Sequence, residues 1–415
     1  MTKQQQKKIA VIGAGIIGLC VAKQLRDKGY QVSLFDNEGI AQRCSKGNAG
    51  HFATEQVFPL ANKKLIPKLP SMLFNPRGAL SIKPSYALKM LPWFCRFLLN
   101  MRTKTFKAHT QAIRALNELA LPAYEALLAG SNYKSLLTKN GSLLTFEHTK
   151  KRDIKKMYLD FKAHNVSVTW LDKKALRQLE PNISDSVTEA LFFHDVGHTI
   201  DPYSLCMLIF NLYKEQGGEY KQENVTDITS RSSEPIVYTT LGQAHSFDKV
   251  VVCTGAWSKP LAKKLGLNVP LDTERGYHAM IDMHDILSRP VASAERQFII
   301  TPMQQGLRLA GTVEFAGLDA PKRVSRAMML LDHAKNLITN IEHGQISQTW
   351  MGCRPSLPDS LPVIGTAPDN KNILFAFGHQ HLGLTQGAIT AKLIAQLCQD
   401  EQPSLDLTPY RIDRF

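Results

Sequence analysis

Between a β-branched run, Lys8 to Ile12, and a helically spaced stretch, Leu19 to Lys28, lies Gly13-Ala14-Gly15-Ile16-Ile17-Gly18. That order reads as strand, turn and helix, with Gly29 ending the helix. Gly13 permits the tight turn, Gly15 lets backbone N–H groups approach a pyrophosphate, and Gly18 lets helix and strand pack closely, so that phosphates meet the positive helix end. Tyr30 to Phe35 reads as a second strand. It ends in Asp36, 18 residues after Gly18, where a carboxylate accepts both hydroxyls of an adenosine ribose and repels a 2′-phosphate. The pattern implies a dinucleotide-binding domain; the alternative is a glycine-rich turn in an ordinary α/β domain. The first strand pair does not choose between FAD and NAD. A later strand, Val250-Val251-Val252, ends at the small-residue turn Thr254-Gly255-Ala256-Trp257-Ser258. Its distance of more than 200 residues from the first fits a dinucleotide domain split by an insertion.

A chain of 415 residues, 44% of them apolar, suits two or three domains and excludes a disordered or collagen-like protein. The seven cysteines are scattered and never spaced C-x-x-C, which argues against a disulfide framework or a structural zinc and for a reducing compartment. Lys7 and Lys8 before the apolar run Ile9 to Ala22 superficially resemble a signal peptide, but the run holds three glycines and leads into Lys23, Arg26, Asp27 and Lys28. A cytoplasmic protein is expected. No uninterrupted apolar stretch of membrane-spanning length occurs.

Beyond the fingerprint with Asp36, five further segments carry a resemblance that runs nearly end to end: Ser45-Lys46-Gly47-Asn48-Ala49-Gly50, the Thr254 to Ser258 turn, Gly352-Cys353-Arg354-Pro355 with Pro358-Asp359, Pro362-Val363-Ile364-Gly365, and Gly378-His379 with Gly383-Leu384-Thr385. Together they resemble the D-amino-acid-oxidase-like FAD flavoenzymes, and within them the bacterial D-amino-acid dehydrogenases. Asn48-Ala49-Gly50-His51, Arg275-Gly276-Tyr277-His278 and Gly378 to Gly383 look most like members acting on D-proline or cis-4-hydroxy-D-proline. The resemblance implies an α/β fold with a discontinuous Rossmann-like FAD-binding domain (residues 1–56, 198–264 and 348–415). It also implies an α+β substrate domain with a mostly antiparallel sheet (57–197 and 265–347). It further implies non-covalent FAD held by Gly13, Gly15, Ile16, Ile17, Gly18, Asp36, Asn37, Ser45, Asn48, Ala49, Gly50, His51, Val225, Thr254, Gly255, Trp257, Gly352, Arg354, Gly378, His381, Leu382, Gly383, Leu384 and Thr385. A covalent flavin through Cys44 or His51 is the disfavoured alternative.

Removing hydride from an amino acid Cα requires an anchored carboxylate, a neutral amine and the Cα–H aimed at flavin N5. Arg354 is the expected anchor, because a guanidinium is a planar two-pronged donor that stays charged; the alternative is a structural clamp on Asp359. The helix expected from Thr385 to Leu397 would offer its N-terminal field to the flavin. His51, His278, His381 and Tyr277 are the remaining expected substrate-site residues, as carboxylate or hydroxyl partners or in moving the amine proton. At the strand position where glycine oxidases place a substrate-binding Tyr stands Ile299, which favours an apolar pocket. Met303-Gln304-Gln305-Gly306 reads as a hairpin connection. No metal is expected.

The net charge of +14 is concentrated. From Gln56 to Asn117 there is no Asp or Glu, while 11 Lys and Arg fall in those 62 residues: Lys63, Lys64, Lys68, Arg77, Lys83, Lys89, Arg96, Arg102, Lys104, Lys107 and Arg114. Interleaved are Phe58, Leu60, Leu65, Ile66, Leu69, Met72, Leu73, Phe74, Leu91, Trp93, Phe94, Phe97, Leu98 and Leu99. Such a mixture suits a surface lying on an anionic bilayer, bringing electrons to a membrane quinone; the alternative is a solvated basic face whose apolar residues pack inward. No nucleic-acid motif accompanies the charge. The competing functions are a soluble oxygen-using oxidase of the glycine or sarcosine type and a non-catalytic flavin-binding partner protein.

Overall fold

The computed structural model describes residues 6–68, 78–229 and 234–415; Leu69, Met72, Leu73, Phe74 and Arg77 of the basic segment lie outside them. A six-stranded sheet runs in the order Glu219–Lys221, Gln31–Phe35, Lys8–Ile12, Lys249–Val252, Ile373–Phe377 and Val363–Thr366. Every neighbour pair is parallel except the last. Its central strands are apolar without alternation because both faces are covered. Ile9 and Val11 join one core with the helices Ile16–Asp27, Pro202–Glu215 and Gly383–Cys398. Ala10 and Ile12 join another, which holds Val225, Ile228 and Val237 of a small antiparallel sheet and Leu261 of the helix Ser258–Lys264.

A nine-stranded, mostly antiparallel sheet forms the second layer system. Along one path it runs Gln345–Ser356, Asp272–Asp282, Gly306–Phe315, Phe298–Met303, Val291–Ser293, Ser142–Phe146, Glu189–Phe193 and Val168–Asp172, with Leu80–Ile82 added beside Gly306–Phe315. Phe298–Met303 and Gly306–Phe315 are joined by the expected turn at Gln304 and Gln305, with Met303 opposite Gly306. The strand Gln345–Ser356 pairs along its whole length with Asp272–Asp282. Residues from 348 onward, expected in the nucleotide unit, therefore begin as an edge strand of this second sheet. His51–Phe52 pairs with Gly197–Thr199, which pairs with Leu137–Thr138.

The basic segment combines both readings of its apolar residues. In the helix Pro84–Asn100, Met90 and Trp93 are buried against Phe315, and Phe94 and Phe97 pack beside them. Leu88, Leu91, Leu98 and Leu99 face outward. Helical periodicity divides the run, since positions three and four apart share a face.

Candidate active site

The glycine turn is built as its spacing requires. Gly13 has φ +104, and a Cβ there would lie 2.6 Å from the Cys253 carbonyl oxygen; one on Gly18 would lie 1.8 Å from the Gly13 oxygen. Gly15 caps the helix Ile16–Asp27, and the Ile16 N–H donates to Ser45 Oγ at 2.9 Å. At the end of the second strand the Asp36 carboxylate accepts from the N–H groups of Ala14 (2.8 Å), Glu38 (2.9 Å) and Gly39 (3.2 Å). Burial pushes its carboxyl above the ordinary value, against the pull of those hydrogen bonds.

These elements open a cavity of about 340 Å³. Of the residues expected at a cofactor, Gly13, Gly15, Ile16, Ile17, Asp36, Asn37, Ser45, Asn48, Val225, Thr254, Gly255, Trp257, Gly378, Gly383 and Leu384 line it. Gly18, Ala49, Gly50, His51, Gly352, Arg354, His381, Leu382 and Thr385 are not among its lining residues. Their positions have other reasons. Thr385 Oγ1 accepts from the Ala53 N–H at 3.0 Å, Gly50 donates its N–H to Asn48 Oδ1 at 2.9 Å, and Leu382 is buried in the core. Sequence reasoning missed Arg43, which lines the cavity and lays its guanidinium over the Trp257 ring at 4.3 Å. Cys44, named only for the disfavoured covalent flavin, also lines the cavity; its thiol donates to the Cys353 carbonyl at 2.8 Å and is pushed up to about 12 by burial. A thiol so held supplies little thiolate for covalent attachment.

Strand parity sorts the expected substrate-site residues. Arg354 lies opposite Glu274, Gly352 opposite Gly276 and Trp350 opposite His278, so these six share one face. The Arg354 guanidinium lies across Gly276, where a Cβ would be 2.2 Å from Nη2. Among the described residues its one hydrogen bond is from Nη1 to the Thr312 carbonyl at 3.3 Å. Asp359, the alternative partner, is bound by Arg414 at 2.7 Å instead. Burial lowers the Arg354 value while nearby Glu274 raises it; Glu274 itself accepts from Ser356 Oγ at 2.6 Å. His278 stacks on Trp350 (5.1 Å, 17°) with Nδ1 3.0 Å from the Gly47 carbonyl oxygen, and burial drives it down to about 3. Burial, then the charges of Arg354 and His51, bring His381 down to about 4. His51 is itself buried, its Nε2 3.5 Å from Glu55 Oε1.

Tyr277 is not part of this group. It sits one residue off, on the opposite face, donating to Glu314 Oε2 at 2.5 Å beside Arg275 and Arg323. Its hydroxyl, raised to about 12 by burial and that carboxylate, serves the far side of the sheet. Arg308 takes a place on the cavity side that the sequence reading did not give it. Buried between Leu307 and Leu309, it donates from Nη1 to the Asn48 carbonyl and so braces the Ser45 to Gly50 segment. Burial lowers it to about 10. The signal was present: in Leu307-Arg308-Leu309 a charge occupies the alternate face of an otherwise apolar strand. Ile299 pairs with Ala310 and Arg308 with Thr301, while Ala310 faces His278. Ile299 thus shares the His278 face.

A mostly parallel sheet with a glycine-cradled cavity at its strand ends, set against an antiparallel sheet that presents an arginine, defines a dinucleotide-binding architecture. The chain belongs to the DAO family of FAD dependent oxidoreductases, which matches residues 8–397. It is 32% identical over 419 residues to a D-amino-acid oxidase of Bradyrhizobium diazoefficiens, covering 99% of both chains. It is 26% identical to a D-amino acid dehydrogenase of Vibrio vulnificus strain CMCP6, covering 98% of this chain and 99% of that one. Glycine oxidase from Geobacillus kaustophilus shares the fold, with TM-score 0.75 at 21% identity over 99% of this chain and 100% of that chain. FAD is the cofactor, and the residues fit it: Gly13 leaves no room for a side chain and Gly15 little, Asp36 lines the cavity where it would meet the adenosine ribose, and the cavity wall continues to Gly378 and Gly383.

Proposed function

We propose that the protein oxidises a D-amino acid of the D-proline or hydroxy-D-proline type to the imino acid, passing electrons to a quinone-type acceptor at a membrane surface to which it attaches peripherally. The observation that carries the reading is Arg354. Its guanidinium is half-buried beside the cofactor cavity, pairs with no carboxylate among the described residues, and lies close over Gly276, where any side chain would displace it. A substrate carboxylate completes it. His278 and His381 beside it are held neutral, so they offer hydrogen bonds without a second cation, and their lowered values make them poor stores for the amine proton. Ile299 and the Trp350 ring supply apolar surface for a ring or aliphatic side chain. Bound FAD supplies the hydride acceptor.

In the reaction a hydride leaves Cα and the nitrogen gives up a proton, leaving a C=N bond. Incubation of the purified protein with D-proline and an artificial quinone should yield the cyclic imine in step with quinone reduction. Turnover of L-proline alone, or none of either, overturns the proposal. The 32% identical relative named D-amino-acid oxidase favours a second reading in which oxygen is the acceptor, and a 22% identical relative named glycine oxidase supports a small amine or amino acid of the glycine or sarcosine type as its substrate. Hydrogen peroxide formed in equal amount to substrate consumed, with no quinone reduction, would establish that one.

A further inference from the structure

Of the ten large hydrophobic side chains that stand exposed among the described residues, Leu60, Ile66, Leu88, Leu91, Leu98 and Leu99 fall in the acid-free segment. Four of them form one stripe. In the helix Pro84–Asn100, Leu88, Leu91, Leu98 and Leu99, spaced 3, 7 and 1 residues apart, fall within about 100° of arc on a single face, with exposures of 85%, 58%, 51% and 52%. The stripe runs about 16 Å along the helix at 1.5 Å per residue. The opposite face is already spent: Met90 and Trp93 are buried, Trp93 stacking on Phe97 at 5.2 Å and meeting Phe315 at 5.4 Å. Scattered exposed leucines need no explanation, but a contiguous apolar strip does.

The charges around it say what covers it. Lys89 and Arg96 flank the stripe on the helix, Lys83 stands just before the helix, and Arg102, Lys104 and Lys107 continue at the start of the next helix, Thr103–Glu118. All six are exposed, and among the described residues none has a carboxylate within 4 Å, whereas Lys64 and Arg114 at the margins of the segment are paired to Asp160 and Glu118. A protein partner would have to bring both an apolar groove and acidic residues around it. A bilayer with anionic headgroups presents acyl chains and negative charge in that geometry by itself. No helix among the described residues is long and apolar enough to cross a membrane; a helix with one packed face and one exposed apolar face suits lying along a bilayer surface. We propose that the outer face of Pro84–Asn100, with its six flanking cations, docks the enzyme on an anionic lipid bilayer. The docking surface rests on the membrane-acceptor reading above for its purpose and on these residues for its evidence.

The test is co-sedimentation of the FAD-loaded full chain with vesicles of mixed phosphatidylglycerol and phosphatidylcholine, and with vesicles of phosphatidylcholine alone. Binding is expected to the anionic vesicles and to weaken with salt, with each cation removed lowering partition about fivefold. The variant Leu88→Ser/Leu91→Ser/Leu98→Ser/Leu99→Ser should stay in the supernatant while keeping its flavin spectrum, and Lys89→Gln/Arg96→Gln should bind more weakly in proportion. Wild type left in the supernatant with anionic vesicles at low salt overturns the surface, as does equal binding of the leucine variant. A reversible dimer in wild type that the leucine substitutions abolish, with no vesicle binding, would assign the stripe to a second copy and overturn it too. Failure of the reaction is read separately: vesicle binding by a protein whose flavin no D-amino acid reduces refutes the substrate assignment and leaves the surface standing.

Discussion

Gly276→Ala is the perturbation that isolates the arginine anchor without removing it. Gly276 is not in the left-handed region, so alanine is permitted by the backbone. Its Cβ would lie 2.2 Å from Arg354 Nη2 and 2.3 Å from Cζ, against ordinary contact beginning at 3.4 Å. The guanidinium must therefore move outward by more than about 1 Å, and misplacement on that scale in a substrate-positioning group costs on the order of 100-fold. That is about 2.7 kcal/mol of transition-state stabilisation. Because the obstructing atoms are the flexible end of a side chain, the fold and the cofactor cavity should survive, with stability changed by at most about 1–3 kcal/mol. The assay is steady-state kcat/KM with D-proline, alongside flavin content and Tm. Arg354→Ala sets the lower limit, losing a few kcal/mol with FAD retained. Undiminished kcat/KM in Gly276→Ala would refute the reasoning, since an anchor pushed aside by more than 1 Å cannot hold the same carboxylate; loss of FAD in step with activity would refute it as well.

Two further perturbations separate the faces of the sheet and the histidine cluster. Tyr277→Phe should leave kcat/KM within about twofold and lower stability by about 1 kcal/mol, the cost of one lost hydrogen bond to a Glu314 carboxylate that keeps Arg275 and Arg323; a large kinetic loss with unchanged Tm would return Tyr277 to the site. His278, His379, His198 and His381 have values driven by burial from 6.5 to about 3, 3, 4 and 4. Between those values and 6.5 the unfolded chain binds the protons the folded one refuses, so stability is full above pH 6.5 and falls on acidification toward 4. Each group contributes up to about 1.4 kcal/mol per pH unit. Thermal melts across that range should show a steep drop in Tm, and a flat profile would show that the histidines are not held neutral.

Much of the nucleotide half was legible in the chain because its constraints are local. A glycine that must sit within reach of another strand's carbonyl, and an acid 18 residues on, are visible as spacing, and Gly13, Gly18 and Asp36 stand where that spacing requires. The substrate half depends on pairing between distant strands, which spacing does not encode. Arg275-Gly276-Tyr277-His278 reads as one motif in the sequence, yet a strand sends alternate residues to opposite faces: Gly276 and His278 join Arg354, while Arg275 and Tyr277 join Glu314. Parity within the motif was readable; which parity faced the cavity required the register of Glu274 with Arg354, some 80 residues apart. Trp350 and Arg43 escaped for the same reason, each acting through a neighbour that only the fold supplies. In the helix Pro84–Asn100 the composition revealed an interface-like mixture, and only packing on Phe315 showed which half was spent.

The account stands most directly on anaerobic mixing of the purified protein with D-proline, cis-4-hydroxy-D-proline and their L-forms while the visible flavin absorbance is followed. Bleaching by the D-forms alone, lost in Arg354→Ala, is the predicted result; a yellow protein that neither D-form bleaches would contradict it.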